Sequence, residues 1–364
     1  MKFSVLSGAI KNAGDYLIVE RSIQLLKYVY PKCEIKIFNR NQPLIESVDE
    51  INNSDALIFA GGPVLAMDIY PKDMPLVPDL NQITTKMFTI GLGWYGKNNL
   101  DSTIYEDYKF SQETLRLVER MEQDGKISCR DWYTVRILKN QGFKNVVMTG
   151  CPAWYDLSAI HQVGLSEHIC MPYKKICISD PGYSINVERS YELAKYLKEK
   201  FPKSNIYFVF HRGIAPDEKT AVKRGKMNLD LVEKLNMLNV KVHDISYSAN
   251  GFSIYDDCDL HVGFRVHAHI YNISKRNISI LLEEDGRGAG VNEALGLYGI
   301  KPYHYRNNNE LNKVELEENA FYLQNLDAYL DILQDNNFTP LKQAYYAQSL
   351  YFEMMIKHIE TLQK

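Results

Sequence analysis

Short apolar runs bounded by turn residues alternate with longer segments of helical period along most of the chain, the pattern expected of parallel βαβ units. In the first half, Phe3–Leu6, Glu34–Phe38, Ala56–Ala60, Met87–Leu92, Lys126–Cys129 and Asn145–Met148 predict strands. Between them, the amphipathic segments Tyr16–Tyr30, Ser111–Gln123 and Asp131–Gln141 predict helices. The alternation stops from Cys151 to Lys174, where Pro152, Pro172 and a polar mixture replace the strand signals. A second series then runs through Lys175–Ser179, Ile206–Phe210, Val240–His243, Leu260–Gly263 and Ile278–Leu282, with helices expected at Val187–Phe201, Asp217–Leu235 and His267–Lys275. The tail from Leu341 to Leu362 has no Gly or Pro and sets Tyr345, Leu350, Met354 and Ile356 at helical spacing.

The expected fold is therefore α/β: two doubly wound, mostly parallel domains over 1–160 and 170–335, followed by a long helix over 339–364. The length agrees, because 364 residues with 45% hydrophobic content exceed the ~250–300 at which one core stops growing. Two such domains on a short linker put a ligand cleft between their facing sheets, at the carboxyl ends of the strands.

Charge and cysteine usage narrow the setting. A net charge of -3 gives no basic field for nucleic acid, and no acidic tail marks a disordered chain. The six cysteines are scattered without a C-x-x-C pair, and Cys177 sits in an apolar strand, which suits a reducing compartment. The opening Met1–Leu6 run is broken by Gly8, Lys11, Asn12 and Asp15, so it reads as a strand rather than an export signal. No stretch approaches the ~18 apolar residues of a membrane span. The expectation is a cytoplasmic protein that meets a membrane at most peripherally. The 25 Tyr and 14 Phe are assigned to packing before sugar stacking.

Candidate chemistry gathers just after strands. The loop from Ser7 to Asp15 delivers glycine-bearing chain to a helix start; it either holds an anion or sugar hydroxyl, or is a tight turn with Asp15 as N-cap. Gly61-Gly62-Pro63 follows the third strand, either for close backbone approach or as a plain turn. Arg130 and Asp131 follow the fifth strand, Asp131 as an N-cap and Arg130 as an ion-pair partner or a cleft residue. Two basic pairs, His211-Arg212 and Arg265-x-His267, follow strands of the second half and suit a small, highly anionic ligand. A metal site at His261, His267 and His269 is disfavoured, because positions 267 and 269 diverge on a helix. Glu283, Glu284 and Asp285 precede a glycine-rich helix start and serve either sugar hydroxyls and proton transfer or a solvated loop.

The Asn12-x-Gly14-Asp15 loop, Gly61-Gly62, Ile127-Ser128-x-Arg130-Asp131 and Gly263-Phe264-Arg265-Val266-His267-Ala268 together resemble the polysaccharide pyruvyl transferase family. The chain departs from that pattern at Pro63, where a third glycine is usual, and at Arg287, where a lysine is usual. The resemblance implies two Rossmann-like domains of GT-B type, the first on the acceptor side and the second on the donor side. It implies transfer of an enolpyruvyl unit from phosphoenolpyruvate to a sugar of a cell-surface glycan or its precursor, forming a pyruvate ketal, with no metal or organic cofactor. Arg212, Arg265, His267, the weaker candidate His211, and Arg287 would then bind the donor, and Asn12, Asp15, Gly61 and Gly62 the acceptor, free or lipid-linked. His267, Arg265 and Asp15 would carry catalysis, with Asp15 as base and a protonated His267 as phosphate ligand or acid. Two other readings stay open: a nucleotide-sugar glycosyltransferase, and a non-catalytic anion sensor of the same fold.

Overall fold

The computed structural model describes residues 1–96, 108–308 and 313–363. The first half forms a six-stranded parallel sheet from β1 (Lys2–Ser7), β2 (Glu34–Asn39), β3 (Ala56–Leu65), β4 (Met87–Trp94), β5 (Ile127–Cys129) and β6 (Val146–Met148), in the order β2-β1-β3-β4-β5-β6. The second forms a five-stranded parallel sheet from β7 (Lys175–Ser179), β8 (Asn205–Phe210), β9 (Lys241–Asp244), β10 (Leu260–Gly263) and β11 (Ile278–Leu281), in the order β11-β10-β7-β8-β9. Strands covered on both faces read as continuous apolar runs, and every residue of β4 and β10 is buried. A hairpin of β12 (Tyr303–Asn308) and β13 (Lys313–Glu318) follows; the 170–335 expectation crosses 309–312, which lie outside the described residues, as does Lys364.

Helices connect the strands: α1 (Ala13–Val29), α2 (Val48–Asn52), α3 (Gln112–Asp124) and α4 (Trp132–Asn140) in the first half. In the second half come α5 (Val187–Lys200), α6 (Val222–Met237), α7 (Val266–Ser274), α8 (Gly286–Leu295), α9 (Tyr322–Asp335) and α10 (Thr339–Glu360). Two sequence expectations change. β3 does not stop at Ala60 but runs on through Gly61-Gly62-Pro63 to Leu65, with a register shift against β4 between Gly62 and Leu65. Gly61 (φ +56°) and Gly62 (φ +81°) make that bulge possible. And α6 begins at Val222, because Asp217 and Thr220 are drawn away to Lys11.

The order of each sheet fixes where ligands go. In the first, the chain leaves β1 toward β2 and returns past it to β3; in the second it leaves β7 toward β8 and later returns to β10. Helices cover opposite faces on either side of these reversals, and a crevice opens at the carboxyl ends between β1 and β3, and between β7 and β10.

α10 ties the halves together. At its start Tyr345 donates to the Asn277 carbonyl at 3.1 Å, and Arg276 Nη1 donates to Gln348 Oε1 at 2.9 Å. At its end Tyr30 donates to the Ile359 carbonyl at 3.0 Å, while the His358 ring stacks on Phe88 with centroids 4.4 Å apart. Arg276 is fully buried and also donates to the carbonyls of Ile160, Gln162, Ile273 and Ser274, so one guanidinium joins the linker, α7 and α10. Removing it leaves buried carbonyls without donors. Arg276→Met is expected to lose about 3 kcal/mol or more of unfolding free energy in a urea titration; stability equal to the unaltered chain would contradict this role.

Candidate active site

The crevice residues converge. Asn12, Asp15 and Pro63 from the first half and Arg265, His267, Glu284, Asp285 and Arg287 from the second line one enclosed cavity of 40 Å³, with Arg130 also in its wall. Arg265 further lines a neighbouring cavity of 150 Å³ with Asp180, Arg212, Lys219 and Arg224. Arg212, Arg265 and His267 thus lie in two adjoining chambers with Arg265 between them.

Arg265 is anchored from beneath. His261 is hydrogen-bonded to Ser279 Oγ at 2.8 Å and to Ser179 Oγ at 3.0 Å, and Ser179 Oγ accepts the Arg265 backbone N–H at 3.0 Å. His269 shares Ser279 at 2.8 Å, so His261 and His269 are core struts. The Arg265 side chain donates to Asp180 through Nε at 2.8 Å and Nη2 at 2.5 Å. Nη2 also donates to the Pro181 carbonyl at 3.2 Å, so that edge of the guanidinium is committed and the expected bidentate clamp on a donor is reduced to what Nη1 can reach.

His267 crosses from α7 onto α1. A Cβ at Gly14 would stand 2.1 Å from His267 Nδ1, so only bare backbone admits the ring there. Burial, then the Arg130 and Arg287 guanidiniums, hold its pKa well below the usual histidine value. This direction disfavours the imidazolium expected from the sequence.

Asp15 lies in the first turn of α1 rather than at the N-cap, which is Asn12. Burial raises its carboxyl pKa, opposed by Arg40, Arg212, a hydrogen bond from Asn12, and Arg287. Asp131 does cap α4, accepting from Thr134 N at 2.8 Å, and pairs with Arg130 Nε at 3.0 Å. Glu284 accepts from Gly182 N (2.6 Å), Tyr183 N (3.0 Å) and Asn186 Nδ2 (2.7 Å), yet burial outweighs these donors and pushes its pKa up to about 7. Asp285 caps α8 and pairs with Arg287.

Three expected residues stand elsewhere. His211 is buried in an aromatic nest, hydrogen-bonded to Tyr255 Oη at 2.8 Å, and burial lowers its pKa to about 3, so it reaches neither chamber. Gly61 and Gly62 line neither chamber; a Cβ on Gly61 would meet Ile18 and Pro152 at 2.9 Å, so its requirement is packing and backbone conformation. Arg40, Asp180 and Arg224 were not singled out. Arg40 and Asp180 each follow a strand end, the signal that would have found them; Arg224 carries no such signal.

Two facing doubly wound sheets with a polar site at both chain reversals define a GT-B-type α/β architecture. The profile of the family described as polysaccharide pyruvyl transferase matches residues 12–271, and the chain belongs to that family. Membership makes it a transferase acting on polysaccharide. Among curated proteins no match was found. Similar solved structures include S. aureus MnaA in its UDP co-structure (11% identity, 99% of this chain and 96% of that chain, TM-score 0.56). Another is the UDP-GlcNAc 2-epimerase from Neisseria meningitidis bound to UDP-GlcNAc (10% identity, 100% of both chains, TM-score 0.53). A third is a putative UDP-N-acetylglucosamine 2-epimerase from Listeria monocytogenes (10% identity, 98% and 94%, TM-score 0.52). At such identities the likeness shows the fold. No helix among the described residues is long and apolar enough to cross a membrane.

The packing of His267 on Gly14 gives a direct test. Gly14→Ala forces the imidazole and α1 apart, and is expected to cost about 1–3 kcal/mol in thermal or urea unfolding, with turnover lowered at least about tenfold because His267 is displaced. Full activity in this variant would show that the contact does not position the site.

Proposed function

We propose that the protein transfers an enolpyruvyl unit from phosphoenolpyruvate to a glycan sugar and closes a pyruvate ketal on two of its hydroxyls. The observation that carries the reading is the union, in one enclosed site, of guanidiniums for a small multiply charged donor with two carboxyls whose pKa values are raised. Arg212, Arg265 and Arg287 bind the donor's anionic groups. His267, kept neutral, contributes a hydrogen bond that orients it.

Three proton transfers are needed, one to the donor and one from each of the two hydroxyls. The methylene carbon of the donor takes a proton, C2 becomes electrophilic, and one sugar hydroxyl adds to C2 while losing its proton to a base. Phosphate departs with the C2–O bond's electron pair, and the second hydroxyl adds to C2 and closes the ring. Of the acceptor's two protons, one replaces that used at the methyl group and the other leaves with phosphate. Asp15 is the base, its carboxylate made more basic by burial. Glu284, at about 7, is the acid, since it is half protonated at neutrality and His267 is not. The positive charge a metal ion would supply comes from the arginines, so no divalent cation is required. The 40 Å³ chamber holds little more than one water at ~30 Å³ each; substrate entry therefore needs the halves to part and close again.

The test is transfer to galactose- and N-acetylmannosamine-containing acceptors, followed by mass spectrometry, with phosphoenolpyruvate or UDP-sugars as donor. Phosphoenolpyruvate alone should support transfer, excess chelator should leave the rate unchanged, and Arg265→Lys should lower turnover roughly 100-fold by losing the Asp180 fork. Because Glu284 works protonated, the rate should fall as pH rises through about 7. Transfer from a UDP-sugar, strict metal dependence, or a rate still rising toward pH ~9 would each overturn a named part of this reading.

A further inference from the structure

The two chambers differ in charge. The smaller one balances Arg130, Arg265 and Arg287 against Asp15, Glu284 and Asp285, three cations to three carboxyls. The larger one sets Arg212, Lys219, Arg224 and Arg265 against Asp180 alone, four cations to one carboxylate. A dianion is therefore drawn to the second chamber, and the balanced first chamber is left for proton transfer.

That second chamber is built for such a group. Arg224 is fixed by Nη2 donating to the Pro181 carbonyl at 2.7 Å and Nε to Asn228 Oδ1 at 3.0 Å, while Asn228 donates to the Gly213 carbonyl at 3.1 Å. Arg212 makes no side-chain hydrogen bond or ion pair among the described residues and stands exposed at the mouth. The start of α6 borders the same space: Ala221, which caps the helix with no side chain, and Arg224 in its first turn both line the chamber. The loop that closes the chamber is pinned from the other half: Lys11, itself buried, donates to Asp217 and, at 2.5 Å, to Thr220 Oγ1. The volume of 150 Å³ equals about five waters at ~30 Å³ each, room for a tetrahedral oxyanion.

We propose that this chamber is a phosphate site in which Arg224 and Lys219 join Arg212 to hold the donor's phosphoryl group and then the phosphate that leaves, while the carbon skeleton reaches past Arg265 into the smaller chamber. The proposal rests on the reading of phosphoenolpyruvate as donor, but its test does not. Inorganic phosphate is titrated calorimetrically into the full chain and into Arg224→Met, Lys219→Ala and His267→Ala, each first checked for folding by thermal melting. Arg224→Met should weaken phosphate at least about tenfold and Lys219→Ala about threefold, and His267→Ala should leave it within about twofold. Lys219 is exposed, so its variant keeps the proposal testable even where Arg224→Met fails to fold. Phosphate binding that depends on Arg224 in a chain that rejects phosphoenolpyruvate supports this site and refutes the donor reading. Phosphate lost in His267→Ala but retained in Arg224→Met places the anion in the smaller chamber and overturns the proposal, as does the absence of phosphate binding to the unaltered chain.

Discussion

Contact between the halves at bare glycine backbone is the constraint on which the site depends. His267 of the second half rests on Gly14, Lys11 of the first half rests on Gly213, and Asp131 of the first half rests on Gly290. Added Cβ atoms would stand 2.1, 2.6 and 3.0 Å from these side chains. A cleft between two doubly wound sheets is ordinarily wide; here it closes until side chains of each half touch the main chain of the other. Only then do Asp15 and Arg265 line one chamber, in which burial shifts the pKa values of Asp15, Glu284 and His267.

Close packing of this kind concentrates charge as well as burying it. Arginines follow strands from both sheets, and in low dielectric they would repel one another without carboxylates between them. Asp180, Asp131 and Asp285 fill that role for Arg265, Arg130 and Arg287, and in doing so fix each guanidinium's orientation. Arg212, exposed at the mouth of the larger chamber, has no such partner among the described residues, so positive charge is in surplus there. Burial first, and then the Arg130 and Arg287 guanidiniums, hold the His267 pKa below the usual histidine value, a shift that belongs to the assembled site and not to the residue.

Much of the fold was legible because βαβ units alternate visibly: Lys175–Ser179 and Leu260–Gly263 are strands with the bounds the sequence suggests. The misreadings came from distant partners. Gly61-Gly62-Pro63 reads as a turn, but β4 continues alongside and keeps the segment in the sheet. Asp217 reads as a helix start, but Lys11 holds it in the loop. In the site, the rule that chemistry follows strand ends found Arg265 and Arg212, and applied evenly it would also have found Asp180 and Arg40. It could not tell that the His211 ring turns inward toward Tyr255, or that the edge of Arg265 was already taken by Asp180.

The central claim is that the donor is held by the second half and attacked with the help of a carboxylate from the first, so binding and turnover should separate on substitution of Asp15. Titration calorimetry of phosphoenolpyruvate into Asp15→Asn, paired with its turnover, reads this directly. The account predicts a Kd within about threefold of the unaltered chain and a turnover reduced by roughly 100-fold or more. A variant that loses affinity and turnover together, or that keeps both, would contradict the division of labour between the two halves.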